Sequence, residues 1–211
     1  MLILQKHIFL CSLFISLSYS SLEITAAILS LWCVWLAAKN KVLNWPISMV
    51  ASVLYGWVFY QNRFYSESYL QMAFFAFQSY GWWYWTIPTL KRKEKPIQKT
   101  PQRFILWIIL LFFVGYFIWF NVYTHFYKDA RYPIIDVFLT VLSLTALFMQ
   151  ARRWYESWFL WILADLIYVP MFYLGDQPIT ALLYLIFIFL AIFGLLEWQK
   201  AIKKASYGSL F

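Results

Sequence analysis

Charge is what this chain lacks. Only 12% of its 211 residues are Asp, Glu, Lys or Arg, about half the fraction of an ordinary soluble domain. With 64% hydrophobic and 24% aromatic residues beside that deficit, a water-soluble fold is excluded. Several apolar segments of roughly 20 residues, the length that crosses a bilayer, account for the excess. Cysteine is scarce too: Cys11 and Cys33 lie in apolar runs without CxxC spacing or a neighbouring His, and read as small buried hydrophobes. His7 and His125 stand alone, without zinc spacing, so no metal site is expected. No Walker motif, HExxH or nucleophile–base pair is present, which argues against an ATP-driven pump and against an enzyme and implies no cofactor. The net charge of +8 does not point to nucleic acid, because the basic residues lie between apolar segments and form no interleaved patch.

What the chain does contain is one pattern written twice, 113 residues apart. Glu23 answers Asp136, Ser30 Ser143, Lys39 Arg152, Trp45 Trp158, Tyr55 Tyr168, Phe59 Phe172 and Tyr60 Tyr173. The register runs on without a gap through Leu70/Leu183, Phe74/Phe187, Gly81/Gly194 and Trp85/Trp198. Leu and Phe matches arise by chance in so apolar a chain; the Gly, Trp, Tyr and charged pairs carry the argument. A duplicated block of apolar segments is the signature of a transporter built from two structural repeats.

Seven spans follow from the apolar runs and their Pro, Gly and charge boundaries: Leu22–Ala38, Trp45–Gln61, Ser68–Thr86, Phe104–Thr124, Ile134–Ala151, Ser157–Leu174 and Ile179–Trp198. The fold class is therefore an all-α polytopic membrane protein. Residues 22–86 and 134–198 form the two three-helix repeats, and residues 199–211 a cytoplasmic tail. Lys6 and the apolar run after it resemble a signal peptide, but the run is short; residues 1–21 are expected to be an interfacial segment, with cleavage as the alternative. Residues 87–103, containing KRKEKPIQKTPQR, form a basic linker expected to be a solvated anchor. One side of the topology collects 13 Lys and Arg and the other 4, so the N-terminus lies outside and the C-terminus in the cytoplasm. Three helices per repeat is an odd number, so direct fusion would invert the second copy. The extra span at 104–124 restores a parallel, 3+1+3 arrangement about an axis along the membrane normal.

Polar side chains within spans are costly and face a bundle interior or a water-filled path. Asp165 lies near mid-span with Trp161 and Tyr168 on the same helical face, a carboxylate flanked by rings that suits a flat cationic ligand. A helix–helix polar contact is the plainer reading of the same residue. Gln71 and Gln78 share a face of the third span, and their counterparts are Tyr184 and Ala191. The aromatic frame is thus symmetric while its polar residues are not, as an asymmetric ligand on a pseudo-axis needs. Trp57 is set among Ser52 and Tyr60 as a pore residue. The cluster Trp82-Trp83-Tyr84-Trp85 reads as an interfacial belt. Glu23 and Asp136, at the starts of matching helices, have structural or gating roles.

The patterns Asn44-Trp45…Tyr55-Gly56…Gln71…Tyr80-Gly81-Trp82-x-x-Trp85 and Trp158-x-x-Trp161-x-x-x-Asp165…Tyr184…Gly194-x-x-x-Trp198 resemble the PnuC family of bacterial vitamin transporters. The resemblance covers about Leu22 to Lys200. It implies a fold similar to two fused SemiSWEET half-units in the inner membrane. It also implies facilitated diffusion of nicotinamide riboside, trapping by an intracellular kinase, and a homotrimer. Gln71, Trp161 and Tyr184 match the riboside pattern; Ala51, Gln78 and Asp165 stand where that pattern has Asn. Thiamine, substrate of the related PnuT branch, is also a cation that Asp165 would accept, and a proton-coupled symporter using that carboxylate is the nearest rival mechanism.

Overall fold

The computed structural model describes residues 21, 22, 24–61, 65–86, 95–128, 133–174 and 178–207. Helices form where the apolar runs lie: α1 (Ile24–Ala38), α2 (Asn44–Gln61), α3 (Tyr65–Thr86), α4 (Gln102–Phe126), α5 (Pro133–Ala151), α6 (Ser157–Leu174) and α7 (Pro178–Tyr207). The N-terminal segment, Glu23, residues 87–94 of the linker and the last four residues lie outside the described set. Apart from one isolated bridge between Gln98 and Trp154, the described residues contain no β structure. Helices α4 to α7 are each long and apolar enough to cross a membrane. Asn44, Ser48 and Ser52 make α2, and Gln71 and Gln78 make α3, less apolar.

Most helix ends fall within three residues of the expected ones, and two expectations differ further. The last helix does not stop at Trp198 but runs through Tyr207, so the expected tail begins as helix. Lys200, Lys203 and Lys204 are good helix formers, and cations near a helix C-terminus complement its dipole. The basic linker, expected to be solvated, is bound to the protein over its described part. The Gln98 amide donates to the Arg153 carbonyl at 3.0 Å and the Tyr155 amide to the Gln98 carbonyl at 3.1 Å. The Thr100 amide and hydroxyl both donate to Glu156 Oε2 at 2.8 Å. Residues 95–100 are therefore a strap across the α5–α6 turn.

The duplication is visible in backbone geometry. Helices α1 and α5 end in the same left-handed turn, with Asn40 at φ 56° and Arg153 at φ 60°, positions 113 apart. In each, the amide of the next residue reaches five back, Lys41 to the Leu36 carbonyl and Trp154 to the Met149 carbonyl, which is the Schellman way of satisfying the last carbonyls. Asn enters this conformation at little cost; Arg does so only when its surroundings hold it there. Arg153 is indeed buried, its guanidinium 4.2 Å from the Trp85 ring and donating to the Lys95 carbonyl.

Packing runs α2–α3–α5–α6–α7 in succession. Trp198 Nε1 closes the circuit onto α1 by donating to the Ala37 carbonyl at 3.1 Å, and the 39–43 turn leads back to α2. Helix α4 packs on α5 and on no other helix among α2 to α7. Tyr123, its one buried residue, donates its hydroxyl to Asp136 Oδ2 at 3.1 Å; Asp136 thus pins α4 to α5. Leu106, Leu111, Phe113 and Phe117 on α4 are exposed, as side chains facing hydrocarbon would be.

At the end of the bundle that carries these turns, here the basic end, four buried indoles meet. Trp45 and Trp85 stack edge to face at 5.3 Å, Trp158 and Trp198 at 5.6 Å, and Trp85 meets Trp198 at 6.1 Å. The first two contacts are register equivalents; the third joins a residue to its own counterpart. Trp82 and Trp83 are exposed, as a belt requires, but Trp85 is core. The belt reading fails for that one residue because it packs between Trp45 and Trp198 and bonds to the Ala151 carbonyl.

Candidate functional site

From the tryptophan layer, α6 climbs one face: Trp158, then Trp161, Asp165 and Tyr168. Trp161 is half-buried and its Nε1 donates to Gln150 Oε1 on α5 at 2.8 Å. Asp165 is 5% exposed, and its carboxylate makes no hydrogen bond or ion pair among the described residues. Tyr168 is buried and lies 4.5 Å from Tyr184, and both rings stack on Phe172, at 5.6 and 5.1 Å. Phe187 meets Tyr184 edge to face at 5.6 Å. Thus α6 and α7 build an aromatic wall beyond the carboxylate.

The first half treats the same positions differently. Ser52, the counterpart of Asp165, is buried and bonded to Gln78, whose Nε2 lies 3.0 Å from Ser52 Oγ. The counterpart of Gln78 is Ala191, which offers no polar atom. One half therefore contains a satisfied neutral pair, and the other a buried acid whose register partner has been deleted. A buried carboxyl without a polar partner is costly to keep, above all in its ionised form.

The expected residues fall into three groups. Trp161, Asp165 and Tyr168 share one face of α6, on which Trp161 bonds to Gln150 of α5 and Tyr168 meets Tyr184 of α7; Gln78 belongs with Ser52. Gln71 packs near Gly56, where an added Cβ would lie 3.5 Å from the Gln71 Cβ. Trp57 stands apart: it is 55% exposed and stacked at 6.5 Å on Tyr60. Among the described residues no three His, Cys, Asp or Glu side chains gather to hold a metal ion.

Gln150 escaped the sequence reading because it sits beside the charged end of its span, where a polar residue looks like a boundary. Its counterpart is Ala37 and that of Trp161 is Ser48, so this hydrogen bond exists in one half only. The signal was there: a Gln opposite an Ala in an otherwise matched frame. Gln150→Leu should leave the indole N–H without its acceptor, a loss of about 1–3 kcal/mol. The measurement is unfolding of the purified protein, with a larger fall for Gln150→Leu than for Gln150→Glu, which keeps an acceptor.

The strap adds one more electrostatic feature. Lys95 Nζ lies 3.2 Å from the centre of the Tyr84 ring. Desolvation, followed by the charges of Arg152 and Arg153, holds its ammonium below the ordinary lysine value.

Comparison with known proteins converges on one group. The family model described as nicotinamide mononucleotide transporter matches residues 20–200. The nicotinamide riboside transporter PnuC of Escherichia coli (strain K12) is 26% identical over 209 residues, covering 88% of this chain and 87% of that protein. The riboflavin/roseoflavin transporter RibM of Streptomyces davaonensis is 26% identical over 192 residues, covering 87% of each. A solved structure, the crystal structure of the vitamin B3 transporter PnuC, shares the fold with a TM-score of 0.71 at 22% identity, over 92% of this chain and 87% of that one.

Proposed function

The chain belongs to the PnuC family, matched by the nicotinamide mononucleotide transporter model, and on that premise we propose that it carries nicotinamide riboside across the bacterial inner membrane. The observation that carries the reading is Asp165, a buried carboxylate unpaired in a site walled by Trp161, Tyr168 and Tyr184. Nicotinamide riboside is a pyridinium cation: its charge meets the carboxylate, and its flat ring meets the aromatic faces. Gln71 and Gln78 line the opposite half, and Trp57 the approach. The repeats are related in parallel as 3+1+3, like fused SemiSWEET units. The basic end faces the cytoplasm and the N-terminus lies outside, in keeping with the Lys and Arg distribution.

Transport is facilitated diffusion by alternating access. The two halves rock about the midplane site, and a cytoplasmic kinase traps the product by phosphorylation, so no catalytic step is assigned to this chain. Helix α4, packed on one neighbour and apolar outside, is the helix through which a homotrimer would assemble. Thiamine is the second reading, because it too is a cation; riboflavin, which is neutral, gains nothing from Asp165.

Thermal unfolding of the purified protein with each vitamin tests the assignment. Nicotinamide riboside at a hundredfold excess over its dissociation constant should stabilise by about 2.7 kcal/mol, and riboflavin should not stabilise at all. A larger effect of thiamine would move the assignment to that vitamin. Accumulation of riboside in proteoliposomes above equilibrium, driven by a pH gradient alone, would replace facilitated diffusion with proton coupling.

A further inference from the structure

On the alternating-access reading, the four indoles at the basic end must part for cargo to leave, and two seams could open. One joins α3 to α5, the other α7 to α1, and the 113-residue register makes them equivalent by descent. We propose that the inner gate opens along the α1–α7 seam while the α3–α5 seam stays shut.

The same positions are occupied on both sides, with unequal strength. Trp85 Nε1 donates to the Ala151 carbonyl at 2.9 Å and Trp198 Nε1 to the Ala37 carbonyl at 3.1 Å, one residue before Ala38, the register equivalent of Ala151; to that point the seams nearly match. Beyond it, Arg152 lies 4.7 Å from the Tyr84 ring and donates to the Tyr80 hydroxyl at 3.1 Å. Tyr80 in turn stacks on Phe148 at 6.4 Å. Among the described residues the equivalent Lys39 has only Glu197, at 3.2 Å with both side chains partly exposed, and the Phe193 ring at 4.7 Å. Lys200 competes for the same carboxylate at 3.3 Å. Exposed, shared ion pairs of this kind hold little.

The strap belongs to one seam alone. Arg153, buried against Trp85, holds the Lys95 carbonyl, and Glu156 holds Thr100 twice. Across the register these positions are Asn40 and Leu43, which offer neither a guanidinium nor a carboxylate. A single linker cannot bind both halves, so the duplication was broken where the linker landed. The tetrad itself fits a gate better than a permanent core. Trp45 and Trp158, equivalent and buried, each keep an indole N–H with no partner among the described residues, and an opened layer would let water reach both donors.

The test is distance measurement between spin labels across register-equivalent pairs, Val42→Cys with Gln199→Cys and Tyr155→Cys with Thr86→Cys, after Cys11→Ala and Cys33→Ala. Reconstituted in liposomes, the first pair should give two distances and the second a single narrow one. Glu156→Ala, which releases Thr100, should broaden the second pair. Two distances at Tyr155/Thr86 with one at Val42/Gln199, or one distance at both, would overturn the proposal. These distances need no substrate. Failure of the wild type to transport nicotinamide riboside would therefore sink the functional reading and leave the seam result standing.

Discussion

A methyl group placed on Gly81 unseats Trp45, and the fold loses the layer that closes its basic end. The ideal Cβ at Gly81 would fall 2.4 Å from Trp45 Cη2 and Cζ3, and at Gly194 it would fall 2.6 Å from Trp158 Cζ2. These are ring atoms of fully buried side chains, which cannot swing into solvent. Trp45 is also fixed edge to face on Trp85, and Trp158 on Trp198, so displacement passes through the whole tetrad. Overpacking of this kind costs about 1–3 kcal/mol and sometimes more; with rings on both sides the upper figure is expected. For a chain of this size that is a fall in Tm of roughly 6–12 °C, taking 2–4 °C per kcal/mol. Two other helical glycines supply the control. A Cβ at Gly56 or Gly115 meets its nearest neighbour at 3.5 or 3.7 Å, ordinary contact, and Ala there gains about 1 kcal/mol of helix propensity. Gly81→Ala and Gly194→Ala should therefore melt well below the wild type, and Gly56→Ala at or above it. Equal melting of all variants would mean that the indoles are not clamped as described.

The Gly81/Gly194 pair shows what the sequence made legible. Apolar length, charge boundaries and a fixed register located helices α1 to α7, with most ends within three residues. The same register pointed at Asp165 against Ser52 and Gln78 against Ala191 as broken matches. Burial against a specific partner was not legible. Nothing in the string separates Trp85 from Trp82 and Trp83, since the distinction depends on which way a helix face points once neighbours are in place. Gln150 was hidden for a similar reason: its value comes from Trp161 on another helix. The strap was the largest omission. A run of Lys, Pro and Thr looks solvated in sequence, and only the turn at Arg153 and Glu156 shows that its backbone and Thr100 are held.

Asp165→Asn should weaken nicotinamide riboside binding and uptake by about ten- to a hundredfold while leaving the empty protein at least as stable as before. The two halves of that expectation have different origins. Hydrogen bonds and pairing to a charged group contribute about 1.5–3 kcal/mol, and each 1.4 kcal/mol is a factor of ten in affinity. Asparagine keeps the shape and an acceptor but presents no charge to a cation. Stability moves the other way, because Asp165 has no polar partner among the described residues to lose and asparagine has no ionised form to desolvate, and sites built for binding commonly hold such a cost. A carboxylate that served only to join helices would behave otherwise: Asp165→Asn would lower stability and uptake together. Ser52, its counterpart, provides the contrast. Ser52→Ala breaks the bond to Gln78, so it should cost stability by about 1 kcal/mol and change riboside affinity less than Asp165→Asn does. Titration of riboside binding to both variants, beside their unfolding curves, separates the cases. Unchanged affinity in Asp165→Asn would take the carboxylate out of the site.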